Sequence, residues 1–289
     1  MTDKTPIINA AEHAWVTNDP RFDIKPETSA CSSGNVPNLD YSAEHLLSEM
    51  RIYGIDKVVI SGVCYYGTNN DYNSYCVKTW PDKFAAFGLM VGHRLHAPSD
   101  PNNPDRLEHA MLEQGLAGMR LSPIYDRETT WLNDPISYPL WKQAGELGAA
   151  FNIFLHPSQI EQVGDMAERF PGVKVVVDHL AMIDITRPDS EGIDPLLSLA
   201  RFPNVYIRTS LHNPSREPPP YRDVWPYLER IYDRFGPQRM LYANFFEHLI
   251  MKEIIPFFTE EDKEWIMGKT ALGVYFRTHT IGATDGPTT

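Results

Sequence analysis

The sequence predicts a single α/β domain closed into a (β/α)8 barrel. Three observations carry that expectation. Eight apolar, strand-like runs alternate with helix-like segments along the 289 residues, the pattern of a parallel sheet whose crossovers are helices. The runs are mostly apolar, broken by single polar residues such as Asn152 and Lys174, close to the pattern of strands buried on both faces. Two successive ones, residues 151–155 (FNIFL) and 173–178 (VKVVVD), deliver His156 and His179 at their ends, and ligands of such barrels sit at the C-terminal strand ends. An open doubly wound sheet is the alternative, but it would want a glycine-rich first turn, and Glu12-His13-Ala14 is not one.

In chain order, residues 7–15 (IINAAEHAW) read as the first strand and the polar stretch 16–40 as a long loop. Residues 41–53 have helical periodicity, with Gly54 as C-cap. Strand two is 57–63, a helix falls within 70–80, and strand three is 84–90. Residues 104–115 form a helix opened by proline and closed by glycine. Strand four is 117–121, followed by a loop at 122–135 and a helix at 136–148 ending on Gly148. Strand five is 151–155, helix 158–170 leads to strand six at 173–178, and a short helix near 192–201 leads to strand seven at 204–209. A proline-bearing loop precedes helix 221–235, strand eight is 239–243, and helical segments follow near 247–257 and 260–277. No repeat or linker divides the chain, so 1–289 reads as one domain with its core at about 6–277 and a disordered tail at 282–289.

Bulk composition excludes some partners. A net charge of −12 offers no cationic stripe for nucleic acid or an anionic membrane surface. No apolar run approaches the roughly eighteen residues of a membrane span. Three cysteines, an odd count without a CxxC pair, and no visible signal peptide give a reducing, cytoplasmic setting as the expectation.

A barrel would gather a definable set of side chains at its mouth. Strand one offers Ala11 and His13, which share a face because strand side chains alternate, while Glu12 points away unless a bulge re-aims it. Arg120 ends strand four, His156 strand five, and Asp178 with His179 strand six. Strand seven brings Arg208, Ser210 and His212; strand eight brings Asn244, then Glu247 and His248. One histidine at a strand end is more often a loop anchor than a ligand, but His13, His156 and His179 together form a candidate ligand set for Zn, Fe or Mn. Arg120 is a candidate carboxylate binder or the partner of a neighbouring acid. His212 and His248 read as loop residues, His45 and His109 as solvent-facing helix residues, and His93 and His96 as loop residues after strand three.

These strand ends resemble the amidohydrolase superfamily, in its amidohydrolase-related branch of small lactonases and decarboxylases. The matching stretches are residues 8–15, AGMRLSP at 117–123, FLHP at 154–157, VVVDHL at 175–180 and MLYANFF at 240–246. WPDKF at 80–84 and WLNDP at 131–135 look like the lactonase-type members. The resemblance implies an amidohydrolase-type TIM-like barrel, with a metal-site His-x-His or Glu-x-His on strand one and an aspartate on strand eight. Here those positions are Ala11 and Asn244. An amide takes no proton as a general base and is a poor substitute for an anionic ligand.

Two functions follow from the resemblance. A site reduced to at most one divalent metal, most plausibly Zn, fits a companion subunit in a heteromeric enzyme such as the metal-dependent hydroxylase acting on 2-aminoisobutyrate, whose partner would be a homologous catalytic barrel. The alternative is a stand-alone lactonase-like hydrolase of a small carboxylated substrate, with one metal or none, using Arg120, Asp178 and Asn244 at its centre. Sequence alone favours the companion reading narrowly, with an oligomer expected in either case.

Overall fold

The computed structural model describes residues 4–24, 37–89 and 101–276. Eight parallel strands run in sequence order, each bonded to the next: β1 (Ile8–His13), β2 (Lys57–Ser61), β3 (Phe84–Leu89), β4 (Gly118–Leu121), β5 (Ala150–Ile153), β6 (Lys174–Val177), β7 (Val205–Arg208) and β8 (Met240–Leu241). A bond from Ala10 N to Tyr242 O, 2.9 Å, joins the first strand to the end of the last. The (β/α)8 expectation is therefore met, with β1 and β5 shorter than predicted and β8 reduced to two residues.

The outer helices are α1 (Ala43–Tyr53), α2 (Asp71–Thr79), α3 (Asn103–Leu112), α4 (Tyr138–Leu147), α5 (Ile160–Arg169), α6 (Asp194–Ser198) and α7 (Trp225–Phe235). Gly54 and Gly148 close α1 and α4 in the left-handed region, at φ 69° and 61°, as glycine C-caps do. The chain then forms a π-helical turn at Ile250–Ile254 and a helix made of α8 (Glu260–Glu264), a π turn (Trp265–Lys269) and α9 (Thr270–Tyr275).

Two apolar layers hold this together. The larger lies between strands and helices. The smaller fills the barrel with Ile8, Ala10, Val59, Ala85, Phe87 and Val176, together with Val274 and Tyr275 of α9. Tyr275 stacks on Phe87 with ring centroids 6.0 Å apart, so α9 plugs the barrel floor. Gly118 is required by close approach, because a Cβ there would lie 1.8 Å from Ala150 O.

Trp15 falls outside β1 and instead makes an isolated antiparallel bridge with Tyr41. No helix of the described residues is long and apolar enough to cross a membrane. Cys76 is a buried free thiol, whereas Cys64 is disulfide-bonded, which departs from the fully reduced state that the cysteine count suggested. Met90, His93, His96 and the 282–289 tail lie outside the described residues.

Candidate functional site at the barrel mouth

The site begins with a bulge. Asn9 is level with Val58 and Glu12 with Ile60, so one extra residue enters β1. Without it, Ile8, Ala10 and Glu12 would share the inner face. With it, His13 comes level with Ser61, two residues along β2 from Val59 inside the barrel, and turns inward with it. His13 Nδ1 lies 3.2 Å from Ser61 O. Burial, with Arg120 adding like charge, pushes this imidazole down to about 4, so it is neutral at pH 7.

At the centre is Asp178, fully buried between two guanidiniums. Arg208 Nη1 donates to its Oδ1 at 2.5 Å and Arg120 Nε to its Oδ2 at 3.2 Å. Burial opposes ionisation of Asp178, but Arg208 and then Arg120 outweigh it and hold the carboxyl below its ordinary value. Arg208 Nη2 also donates to Asn152 Oδ1 (2.6 Å) and Tyr275 OH (2.7 Å), and Tyr275 OH donates to Asn152 Oδ1. Arg208 is thus sealed into the barrel from below. Arg120 retains some exposure and lies over the Phe154 ring at 4.6 Å. Two cations face one anion, leaving one positive charge in excess.

His179 follows Asp178 in an unusual backbone. His179, Leu180, Ala181 and Met182 all have φ between 51° and 55°, a left-handed turn without glycine that costs about 1–2 kcal/mol per residue. Leu180 and Ala181 are fully buried, and packing holds the turn. It brings His179 Nδ1 to 2.8 Å from Ser210 Oγ, which accepts from Asn244 Nδ2 at 3.2 Å. The His179 ring meets Phe154 edge-on at 5.5 Å. Burial pushes its imidazole down to about 3.

His156 is turned to another task. Because β5 ends at Ile153, His156 sits three residues beyond it, and its Nδ1 accepts from Ser158 N (3.3 Å) as the cap of a short 3-10 turn. Its ring faces an outer groove with Arg127, Arg187 and Arg216. Among the described residues, no group of three or more His, Cys, Asp or Glu side chains is placed to hold a metal ion. The arrangement does not fit one: both Asp178 oxygens are held by guanidiniums, whose charge opposes a dication.

A second pair completes the mouth. Glu247, fully buried, accepts from Leu211 N (3.1 Å), His212 N (3.0 Å) and His212 Nδ1 (2.6 Å). Its carboxylate fixes the His212 tautomer and leaves Nε2 as the acceptor, 3.1 Å from Asn213 Nδ2. The sequence places both residues just beyond the strand ends, His212 as a loop residue and Glu247 as a first-turn helix acid; their partnership spans two loops and has no sequence signal. Asn152 and Tyr275 were not foreseen. His248 is a core histidine, edge-on to Tyr242 at 5.6 Å, while His45 and His109 pair with Glu49 and Glu113 on the surface.

These burials make stability depend on pH. His13 and His179 titrate in the folded state at about 4 and 3, below the 6.5 of a free imidazole. Unfolding below pH 6.5 therefore takes up two protons, and their contribution is lost as pH falls towards the folded values. Glu12 works oppositely, because burial raises it from 4.5 to about 7. Between pH 6.5 and 4.5 the unfolded chain binds about one more proton net, which costs roughly 1.4 kcal/mol per pH unit. Urea unfolding should show about 3 kcal/mol less stability at pH 4.5 than at 6.5. A flat profile would mean that the two histidines are not held neutral.

Three comparisons place the chain among known proteins. The profile of the amidohydrolase family matches residues 11–277. L-fucono-1,5-lactonase of Burkholderia ambifaria is 28% identical over 116 residues, 39% of this chain and 40% of that one. The probable 2-pyrone-4,6-dicarboxylic acid hydrolase of Acinetobacter baumannii, solved with citric acid bound, superposes with a TM-score of 0.74 at 15% identity, over 93% of this chain and 98% of that one. An amidohydrolase from Burkholderia multivorans with bound Zn gives 0.70 at 14% identity, over the same shares, 93% and 98%. At these identities the structural likeness is one of fold.

Proposed function

Because this chain belongs to the amidohydrolase family, we propose that it hydrolyses a small carboxylated lactone using its own side chains. The observation that carries the reading is the excess positive charge of the cluster around Asp178. Arg120 and Arg208 face the single carboxylate of Asp178, while His13 and His179 are neutral. A substrate carboxylate balances that charge, and Arg120 is the more exposed of the two arginines. The lactonase relative and the dicarboxylic acid hydrolase superposition support ring-ester cleavage as the chemistry.

In this reading Asp178 positions Arg120 and Arg208. His212, oriented by Glu247, takes a proton from a water that replaces Asn213 Nδ2 at its Nε2. The hydroxide adds to the ring carbonyl, the ring C–O bond breaks, and the proton held on His212 passes to the departing oxygen. The product is a hydroxy acid, which ionises to solvent. Asn244, neutral at every working pH, orients Ser210 and through it His179.

A lactone panel, with and without carboxylate groups, tests this on exhaustively chelated protein. Carboxylated lactones are expected to be cleaved. Arg120→Met should raise their KM at least tenfold and leave uncharged lactones unchanged, because Asp178 keeps Arg208 as partner. Equal turnover of charged and uncharged lactones by the unmodified protein would remove Arg120 from substrate recognition.

The companion-barrel reading also has support. Ala11 and Asn244 stand at positions where the resemblance implies acid or imidazole ligands, and exposed Phe246 and Leu249 flank the mouth. In that reading the metal, Zn among the candidates, belongs to the other barrel. Native mass spectrometry of protein from its own host separates the two. Co-purification of a homologous metal-bearing chain, with no lactone cleaved by this chain alone, would replace the hydrolase reading.

A further inference from the structure

Beside the barrel mouth lies a second cavity, of about 290 Å3. Trp15, Tyr41, Tyr53 and Phe245 supply aromatic walls, and Glu12 and Glu49 supply two carboxylates. His13 of the barrel mouth also lines it.

The walls are rigid. Trp15 and Tyr41 bond to each other through both backbone groups, at 2.8 and 2.9 Å, and their rings lie 5.3 Å apart at 33°. Tyr65 meets Trp15 edge-on from behind at 5.3 Å. Tyr53 stacks on Phe245 at 5.6 Å and 27°.

The carboxylates are fixed by uncharged donors. Glu12 Oε1 accepts from Asn9 Nδ2 and Phe245 N, both at 2.9 Å. Its Oε2 makes no hydrogen bond among the described residues. Glu49 accepts from Tyr41 OH, and its nearest basic group is the half-exposed His45 ring, 3.8 Å away. Among the described residues neither acid pairs with a lysine or arginine.

We propose that this cavity binds an organic ammonium group, with Trp15, Tyr41 and Tyr53 enclosing the cation and Glu12 with Glu49 balancing its charge. Aromatic faces attract a cation through their quadrupoles and favour a weakly hydrated alkylammonium. A hard metal ion would instead need more oxygen donors than the two acids supply. The inference concerns binding alone and stands whether or not the lactone reading holds.

Calorimetric titration of the full chain with choline tests it, with 3,3-dimethylbutan-1-ol as the control. The two molecules share a shape, and only choline carries the charge. Saturable choline binding is expected, with the neutral isostere at least tenfold weaker. Glu12→Gln and Trp15→Leu should each weaken choline binding about tenfold or more, and thermal denaturation would confirm that both variants are folded. Should either fail to fold, Glu49→Gln and Tyr53→Leu give the same readout from the opposite wall. No binding in the millimolar range, equal binding of the isostere, or choline affinity unchanged by the folded variants would each overturn the proposal.

Discussion

The Asp178→Asn protein is expected to be about 3–5 kcal/mol less stable than the unmodified chain, the range for breaking a buried ion pair by removing one partner. The cause is local. Asp178 is the only carboxylate bonded to Arg120 and Arg208 among the described residues, and Arg208 is buried to 1% exposure. An amide of the same shape would leave two guanidiniums facing each other in a medium that screens them poorly. Urea unfolding reads the loss directly. Adding Arg208→Met to Asp178→Asn should recover part of it, because the uncompensated charge goes with the arginine. A loss under about 1 kcal/mol, or no recovery in the double variant, would mean that water reaches the cluster.

The largest expected effect on turnover belongs to the Glu247–His212 pair. Glu247→Gln removes the charge that stabilises an imidazolium and no longer selects the tautomer with an unprotonated Nε2. His212→Asn removes the base itself. Proton transfer by a positioned side chain contributes about 10²–10⁴-fold, so kcat for lactone cleavage should fall by that order in both variants with KM little changed. The pair acts as a unit, and the double variant should be scarcely worse than either single one. Undiminished kcat in His212→Asn would send the search for a base to His13 or His179. An equal rise of KM in all variants would mark the pair as a loop anchor.

Much of the architecture was legible because most buried strands wrote a largely apolar run, and Gly54 and Gly148 punctuated their helices as expected. The family pattern was legible for the same reason, since AGMRLSP and VVVDHL sit at the strand ends that build the mouth. What could not be read was direction. His13 faces inward because of a bulge, and nothing in NAAEH announces one. His156 and His179 stand equally close to their strands in sequence, yet one caps a 3-10 turn and the other is carried by a left-handed turn towards Ser210. The partnership of His212 with Glu247 spans 35 residues, and that of Arg208 with Tyr275 spans 67. No local pattern encodes contacts of that range.

The position of Tyr275 gives the chain an order of assembly. Arg208 draws its hydroxyl partner from α9, which is synthesised 67 residues later, after all eight strands have been made. A chain without α9 has neither the ring that stacks on Phe87 nor the hydroxyl that meets Arg208. Chains arrested before α9 should therefore present a wet, protease-sensitive barrel however complete their sheet, and closure of the floor falls to α9.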